Sequence, residues 1–230
     1  MTTLAASRWP ELGTPDVVLV PLGSTEQHGP HLPLTTDTAI ATAVADQLAE
    51  QITQESFSVV VAPAIPVGAS GEHQDFPGTI SMGQEALHHV LIELARSIKT
   101  WSPRLIFVNG HGGNAPVVAE SVKQLTAEEH RVMWVSCGIP GQDAHAGREE
   151  TSIMLYLAPE TATMDFAEAG NTSDIAELLP QLQASGVRAL SPNGVLGDPA
   201  GAHAAEGKEL LEKMTSRVVG AVLQFMREQP

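Results

Sequence analysis

Four short segments of this 230-residue chain concentrate the side chains that do chemistry. The first reads Glu26-Gln27-His28 and runs on to Asp37. Carboxylates and imidazoles of this kind are ligands for Zn²⁺, Mn²⁺ or Fe²⁺. In an extended stretch Glu26 and His28 point the same way, because side chains alternate with a period of two. Gly29, Pro30 and Pro33 turn the chain so that Asp37 can return to the same place. Asp37 also has a structural reading, since aspartate is a favoured N-cap and a helical pattern follows it. With Glu26 and His28 so near, we expect a ligand.

The second segment is Asn109-Gly110-His111-Gly112-Gly113-Asn114, directly after an apolar run. Glycines here let the backbone pass close to a ligand. A glycine-rich loop opening a helix also cradles phosphates, but this one lacks the GxGxxG pattern and the lysine of a phosphate loop. A histidine inside it points to metal binding or catalysis rather than to an ordinary tight turn, and Asn114 is a candidate substrate contact. The third segment, Asp143 to Ser152, sets His145 on a small-residue loop and Glu149 and Glu150 at the start of a helix, where carboxylates also favour the dipole. The residues leave open which glutamate is functional. The fourth, Gly71 to Thr79, offers His73 as a pocket-lining group. His88, His89 and His130 read as surface or packing residues, while His31 and His203 are undecided.

Apolar runs at Val17–Pro21, Ser58–Ala64, Arg104–Val108 and Arg131–Cys137 read as strands buried on both faces. Amphipathic stretches alternate with them: Thr38–Ile52, Met82–Ile98, Ala115–Leu125, Glu150–Leu157 and Ala204–Met226. In the first of these, Ile40, Val44, Leu48 and Ile52 form one helical face. Strands alternating with helices predict a three-layer α/β/α sandwich around a mostly parallel sheet, with ligands at the C-terminal strand ends. The four segments follow those ends, which is the main structural argument for an enzyme. Pro159–Gly201 lacks clear periodicity and is expected to wrap as loops with a short helix. The whole of 1–230 is expected to be a single domain.

The chain is 43% hydrophobic and carries 12 Lys+Arg against 27 Asp+Glu, a net charge of −15. Such a balance makes a poor binder of phosphate backbones or anionic membranes, and no local basic patch offsets it. We therefore expect no nucleic-acid and no membrane partner. The N-terminus has no basic region followed by an apolar one, and no apolar stretch approaches the roughly 20 residues of a membrane span. One cysteine, Cys137, excludes an intrachain disulfide and suits a reducing, cytoplasmic setting.

Together, PLGSTEQHGPHLPLTTD, EHQDFPGTIS, VNGHGGN, DAHAGREETSIML and SPNGVLGDP resemble the signatures of the creatininase (creatinine amidohydrolase) family. The resemblance implies an α/β/α sandwich, a homo-oligomer, two divalent metals (Zn, Fe or Mn) and hydrolysis of C–N amide bonds. It implies that Glu26, Asp37 and His111 hold one metal, and that His28 with a bridging Asp37 holds the other. Creatininase itself has a glutamate at the position of Gly113, so Glu150 becomes the candidate for the missing carboxylate. Its catalytic Glu-His pair reads Ala144-His145 here, leaving His145 as general acid/base with Asp143 or Glu149 to orient it. Its substrate-stacking tryptophan falls at Gly141. These departures, with Gly112 and Gly113, point away from creatinine and towards a wider pocket.

The compact length and HAGREETS resemble the mycofactocin-system branch of the family. That resemblance implies a short modified precursor peptide as partner, cleaved to release a C-terminal Val-Tyr-derived dipeptide, with the metals and Arg148 as candidate attractors of its terminus. The rival readings are a small-molecule amidohydrolase or deformylase and a non-catalytic, metal-stabilised binding protein.

Overall fold

Every residue of Val17–Leu22 is buried, as a strand covered on both faces must be. It is the middle of a five-stranded sheet in a computed structural model that describes residues 2–228. The strands are β1 (Thr2–Thr3), β2 (Val17–Leu22), β3 (Val59–Val61), β4 (Arg104–Asn109) and β5 (Arg131–Ser136), in the order β1-β3-β2-β4-β5. All pairings are parallel. The helices are α1 (Trp9–Leu12), α2 (Thr36–Gln54), α3 (Gly83–Ile98), α4 (Ala115–Ala127), α5 (Arg148–Leu157), α6 (Ile175–Leu190) and α7 (Ala204–Arg227).

Alternation along β2 builds the two outer layers. Val17 and Leu19 face a core completed by α2, α5 and α7, with Ile40, Val44, Leu48 and Ile52 all buried in it. Val18, Val20 and Leu22 face the other way, into a core completed by α3 and α4. The expected three-layer sandwich is the observed one. Among the described residues no helix is long and apolar enough to cross a membrane. Cys137 is buried and free, and burial followed by the charge of Asp37 pushes its thiol up to about 12, so it is inert.

Two segments depart from expectation. Pro159–Gly201 does begin with loop and two 3₁₀ turns, Pro159–Thr161 and Met164–Phe166, but it then forms the long α6 rather than a short helix. Pro180 lies inside that helix and Gly186 breaks it with φ 71°, ψ 176°, so its apolar spacing is interrupted. β1 is only two residues long, too short to leave a pattern.

The chain leaves β2 for β3 on one flank and returns to place β4 on the other, so the strand order reverses between β2 and β4. The last pair across that seam is Leu22 with Asn109. Ligands of open α/β sheets bind at such a reversal, beyond the carboxyl ends of the strands. Glycine lets α2 begin directly against those ends. A Cβ on Gly23 would stand 2.5 Å from Thr38 Cα, and one on Gly110 2.5 Å from the Asp37 carbonyl oxygen.

Candidate metal centre and active site

The loop after β2 supplies Glu26 and His28, the loop after β4 supplies His111, and the first turns of α2 and α5 supply Asp37 and Glu150. The N-cap of α2 is Thr35, and Asp37 lies in the first turn, so the capping role does not fall to it. Its carboxylate is shared instead. Oδ1 is 3.1 Å from His28 Nε2, and Oδ2 is 3.2 Å from His111 Nδ1. Ser24 Oγ donates to Oδ2 at 2.6 Å. His111 Nδ1 is also 3.1 Å from Glu26 Oε1, and Glu150 Oε2 lies 3.8 Å from His28 Nε2. Glu149 does not join them, because its Oε2 accepts from the Asp143 backbone N–H at 3.3 Å. Three groups of potential ligand atoms result: Glu26–Asp37–His111 and His28–Asp37–Glu150, which share Asp37, and Glu26–His28–His145 beside them.

Whether a cation suits this cluster is decided at Glu26. It is fully buried, neither carboxylate oxygen accepts a well-aligned hydrogen bond, and imidazole nitrogens of His111 and His73 stand 3.1 and 3.4 Å from Oε1. An ionised carboxylate out of water is costly unless paired or bound to metal. Outer contacts also fit: His28 Nδ1 donates to the Glu26 carbonyl oxygen at 3.1 Å, turning Nε2 towards Asp37. The donor set of imidazoles and carboxylates admits Zn, Mn or Fe.

Without a cation the same groups share protons. Burial opposes a charge on His28, but the Asp37 carboxylate, with help from Glu150 and Glu26, outweighs it and pushes His28 up to about 10. Burial likewise opposes charge on His111, and Glu26 and Asp37 raise it well above the ordinary value. Burial would raise Asp37, yet His28 and His111 hold it well below the usual carboxylate range. At pH 7 both imidazoles therefore carry protons that a metal must displace, since a ligating histidine is neutral. Loading with Zn²⁺ at pH 7 should release more than about one proton per chain, and affinity should rise with pH from about 6 to about 9. Calorimetry in buffers of different ionisation enthalpy reads the proton count, and binding that is insensitive to pH would contradict this ligand set.

His145 stands beside the cluster. Its Nε2 donates to the Gln27 carbonyl oxygen at 2.7 Å, leaving Nδ1 3.9 Å from Glu26 Oε1. Gln27 orients it, and Asp143 and Glu149 do not. Asp143 accepts from the backbone N–H groups of Arg148 and Asp198, at 3.0 and 3.1 Å. Burial, then the charge of His28, pushes His145 down to about 4. At neutral pH it is a base, not the evenly poised acid and base expected from an unperturbed imidazole. The Gln27 side-chain amide donates to His73 Nδ1 at 2.8 Å and to the Gly194 carbonyl at 3.0 Å. That turns His73 Nε2 towards Glu26 Oε1, 3.4 Å away. Gln27 is a residue that sequence reasoning passed over.

The creatininase family profile, described as creatinine amidohydrolase, matches residues 5–222. The chain belongs to the creatininase family. The mycofactocin precursor peptide peptidase of Mycobacterium ulcerans (strain Agy99) is 49% identical over 223 residues, covering 95% of this chain and 87% of that protein. The protein of the same name from Mycolicibacterium smegmatis (strain ATCC 700084 / mc(2)155) is 48% identical over 215 residues, covering 93% and 86%. A mutant creatininase of Zn–Zn type shares the fold, with a TM-score of 0.79 at 22% identity and 98% of each chain covered.

Within this creatininase fold a cavity of about 440 Å³ opens over the ligands, a volume suited to a small-molecule or peptide end. His73, His111 and His145 line its polar side. Ile175, Leu179, Leu182 and Val187 of α6 form an apolar wall that the sequence did not reveal. An added Cβ at Gly112, which lines the cavity, would meet nothing within 4 Å; Gly141 is outside the lining. At Gly113 there is no such room, because the Glu72 carboxylate, the His111 ring and the Ala69 carbonyl fill that space.

Two expectations fail on geometry. Asn114 is fully buried and outside the cavity lining. It accepts from Ala69 N–H at 2.8 Å and donates to the Gly23 carbonyl and Asn109 Oδ1 at 3.0 and 3.2 Å, which ties loops together rather than contacting substrate. Arg148 is absent from the lining and pairs with Glu206 at 2.9 Å. No lysine or arginine occurs among the described lining residues.

Proposed function

We propose that this chain is a dimetal peptidase that cleaves near the C-terminus of the mycofactocin precursor peptide and releases the modified Val-Tyr-derived dipeptide. One observation carries the reading: two ligand groups share Asp37 at the base of a cavity with one apolar wall and open space over Gly112. The relatives named above, at 48–49% identity over most of the chain, support the choice of substrate. The Zn–Zn type of the structural relative is in keeping with two ions, held here by Glu26, Asp37 and His111 and by His28, Asp37 and Glu150. The buried Cys137 suits a cytoplasmic setting.

Two bound divalent ions supply a lowered water pKa and polarisation of the scissile carbonyl. The protein supplies the rest. Gln27 fixes the His145 ring, and the free Nδ1 lone pair takes a proton from the attacking water and passes it to the leaving amine. The α6 wall takes the apolar part of the substrate terminus and excludes water around it. With no lysine or arginine among the described lining residues, the metals would be the partner left for a free carboxylate at the terminus.

Modified and unmodified precursor incubated with metal-loaded protein and read by mass spectrometry test the proposal. Dipeptide-derived product should form from the modified peptide, and much more slowly from the unmodified one, because missing groups leave the site unfilled. No release from either, together with rapid hydrolysis of a formamide or lactam, would move the activity to small molecules.

A further inference from the structure

Glu72 sits in the 3₁₀ turn Gly71–His73 and is claimed neither by the two ligand groups nor by the Gln27 network. Its Oε1 is 3.4 Å from His111 Nε2, on the ring edge opposite the one that faces Glu26 and Asp37. Among the described residues the other acceptor at that nitrogen is the Ala69 carbonyl oxygen, at 3.3 Å. A Cβ on Gly113 would overlap both Glu72 Oε1 and His111 Nε2 and come within 2.7 Å of that carbonyl. The carboxylate, together with the His111 ring and the Ala69 carbonyl, therefore occupies the volume that any side chain at position 113 would need. Its backbone is hemmed in too: α6 breaks at Gly186, where a Cβ would stand 3.0 Å from the Glu72 carbonyl oxygen.

We propose that Glu72 is a positioning residue for the metal ligand His111, accepting from Nε2–H so that Nδ1 is presented to the metal, and that Gly113 leaves room for this carboxylate and the ring edge to meet. The proposal rests on the metal-centre reading above. A ligating histidine gives its second N–H to a carboxylate or carbonyl, which fixes the tautomer and strengthens the ligand. A carboxylate does so more strongly than a neutral carbonyl. Ala69 and Glu72 share the task, one rigid and neutral, the other charged and anchored under α6. Because Glu72 also lines the cavity, a direct contact with substrate is the competing explanation.

The test is Zn²⁺ titration of metal-stripped protein against a competing chelator, with circular dichroism and Tm recorded for each variant. Glu72→Leu should weaken one of the two binding steps by about 10–100-fold and leave the other unchanged. Glu72→Gln keeps an acceptor oxygen and should recover most of that loss. Gly113→Ala crowds His111 Nε2 as well as the acid, and should weaken that step at least as much as Glu72→Leu. Both steps intact in a folded Glu72→Leu protein would overturn the proposal, and a fall in peptide turnover alone would then assign Glu72 to the substrate. Equal weakening of both steps with a lowered Tm would overturn it in favour of a scaffold role. A native chain that binds no Zn²⁺ overturns the metal-centre reading itself, which is a separate result from native binding that Glu72→Leu leaves untouched.

Discussion

Asp37→Ala should empty the metal centre more completely than any other single substitution. Asp37 joins the Glu26–Asp37–His111 group to the His28–Asp37–Glu150 group, and its two oxygens face His28 and His111 separately. Removing it takes a ligand from each ion and also the negative charge that sets their neighbours. The loss should exceed the roughly 10–100-fold that follows from disturbing an outer contact. Ser24→Ala provides that comparison inside the same site, because Ser24 Oγ donates to Asp37 Oδ2 at 2.6 Å without belonging to a ligand group. Elemental analysis after loading and desalting should find close to two ions per native chain, most of them retained in Ser24→Ala and neither in Asp37→Ala. Asp37→Asn keeps the shape and separates charge from folding. Full occupancy in Asp37→Ala would show that the aspartate does not bridge.

Legibility in the sequence followed how fully each segment is buried. The β2 run and the α2 stripe of Ile40, Val44, Leu48 and Ile52 are covered on the faces that their periods declare, and their elements lie where expected. Helix α6 has spacing of the right kind at Ile175, Leu178, Leu179 and Leu182, but Pro180 falls within it and Gly186 ends it early. Its apolar residues also serve as a pocket wall, so Ile175 and Leu179 remain exposed at 36% and 43% rather than marking a core face. A helix half committed to function gives a weaker signal than one committed to packing.

The site was legible as a set of residue types and illegible as a set of contacts. Glu26, His28, Asp37, His111 and Glu150 stand on separate loops at one reversal of strand order, which the alternation of strands and helices anticipates. The choice between Glu149 and Glu150 depends on a difference of about 100° around a helix, together with where Asp143 lies, and no pattern carries that. Gln27 was hidden because it lies between two ligands and points away from them. Asn114 misled for the opposite reason: a polar residue in a glycine-rich loop reads as a contact, yet three loops needed its amide.

His145→Ala should leave the metals in place and slow peptide turnover by about 10²–10⁴-fold, the range for losing a general acid/base. His145 Nδ1 is near enough to Glu26 and His28 to count as a third grouping of possible ligand atoms, so the two roles have to be separated by measurement. Geometry favours catalysis. The shared-Asp37 groups are complete without it, and its Nδ1 stands 3.9 Å from Glu26 Oε1 where His111 approaches to 3.1 Å. Its other nitrogen is committed to Gln27, which fixes a neutral tautomer with the lone pair on the cluster side. In the metal-free protein burial and the charge of His28 push the imidazole down to about 4. Bound cations would oppose its protonation in the same sense, so it remains a competent base from about pH 5 to about pH 8. As pH falls through that range, activity should therefore be lost first through proton competition at His28 and His111, before His145 itself is protonated. Native metal content with slowed turnover at pH 7 is the expected outcome. Loss of about one ion together with activity would make His145 a ligand, and unchanged turnover would remove it from the reaction.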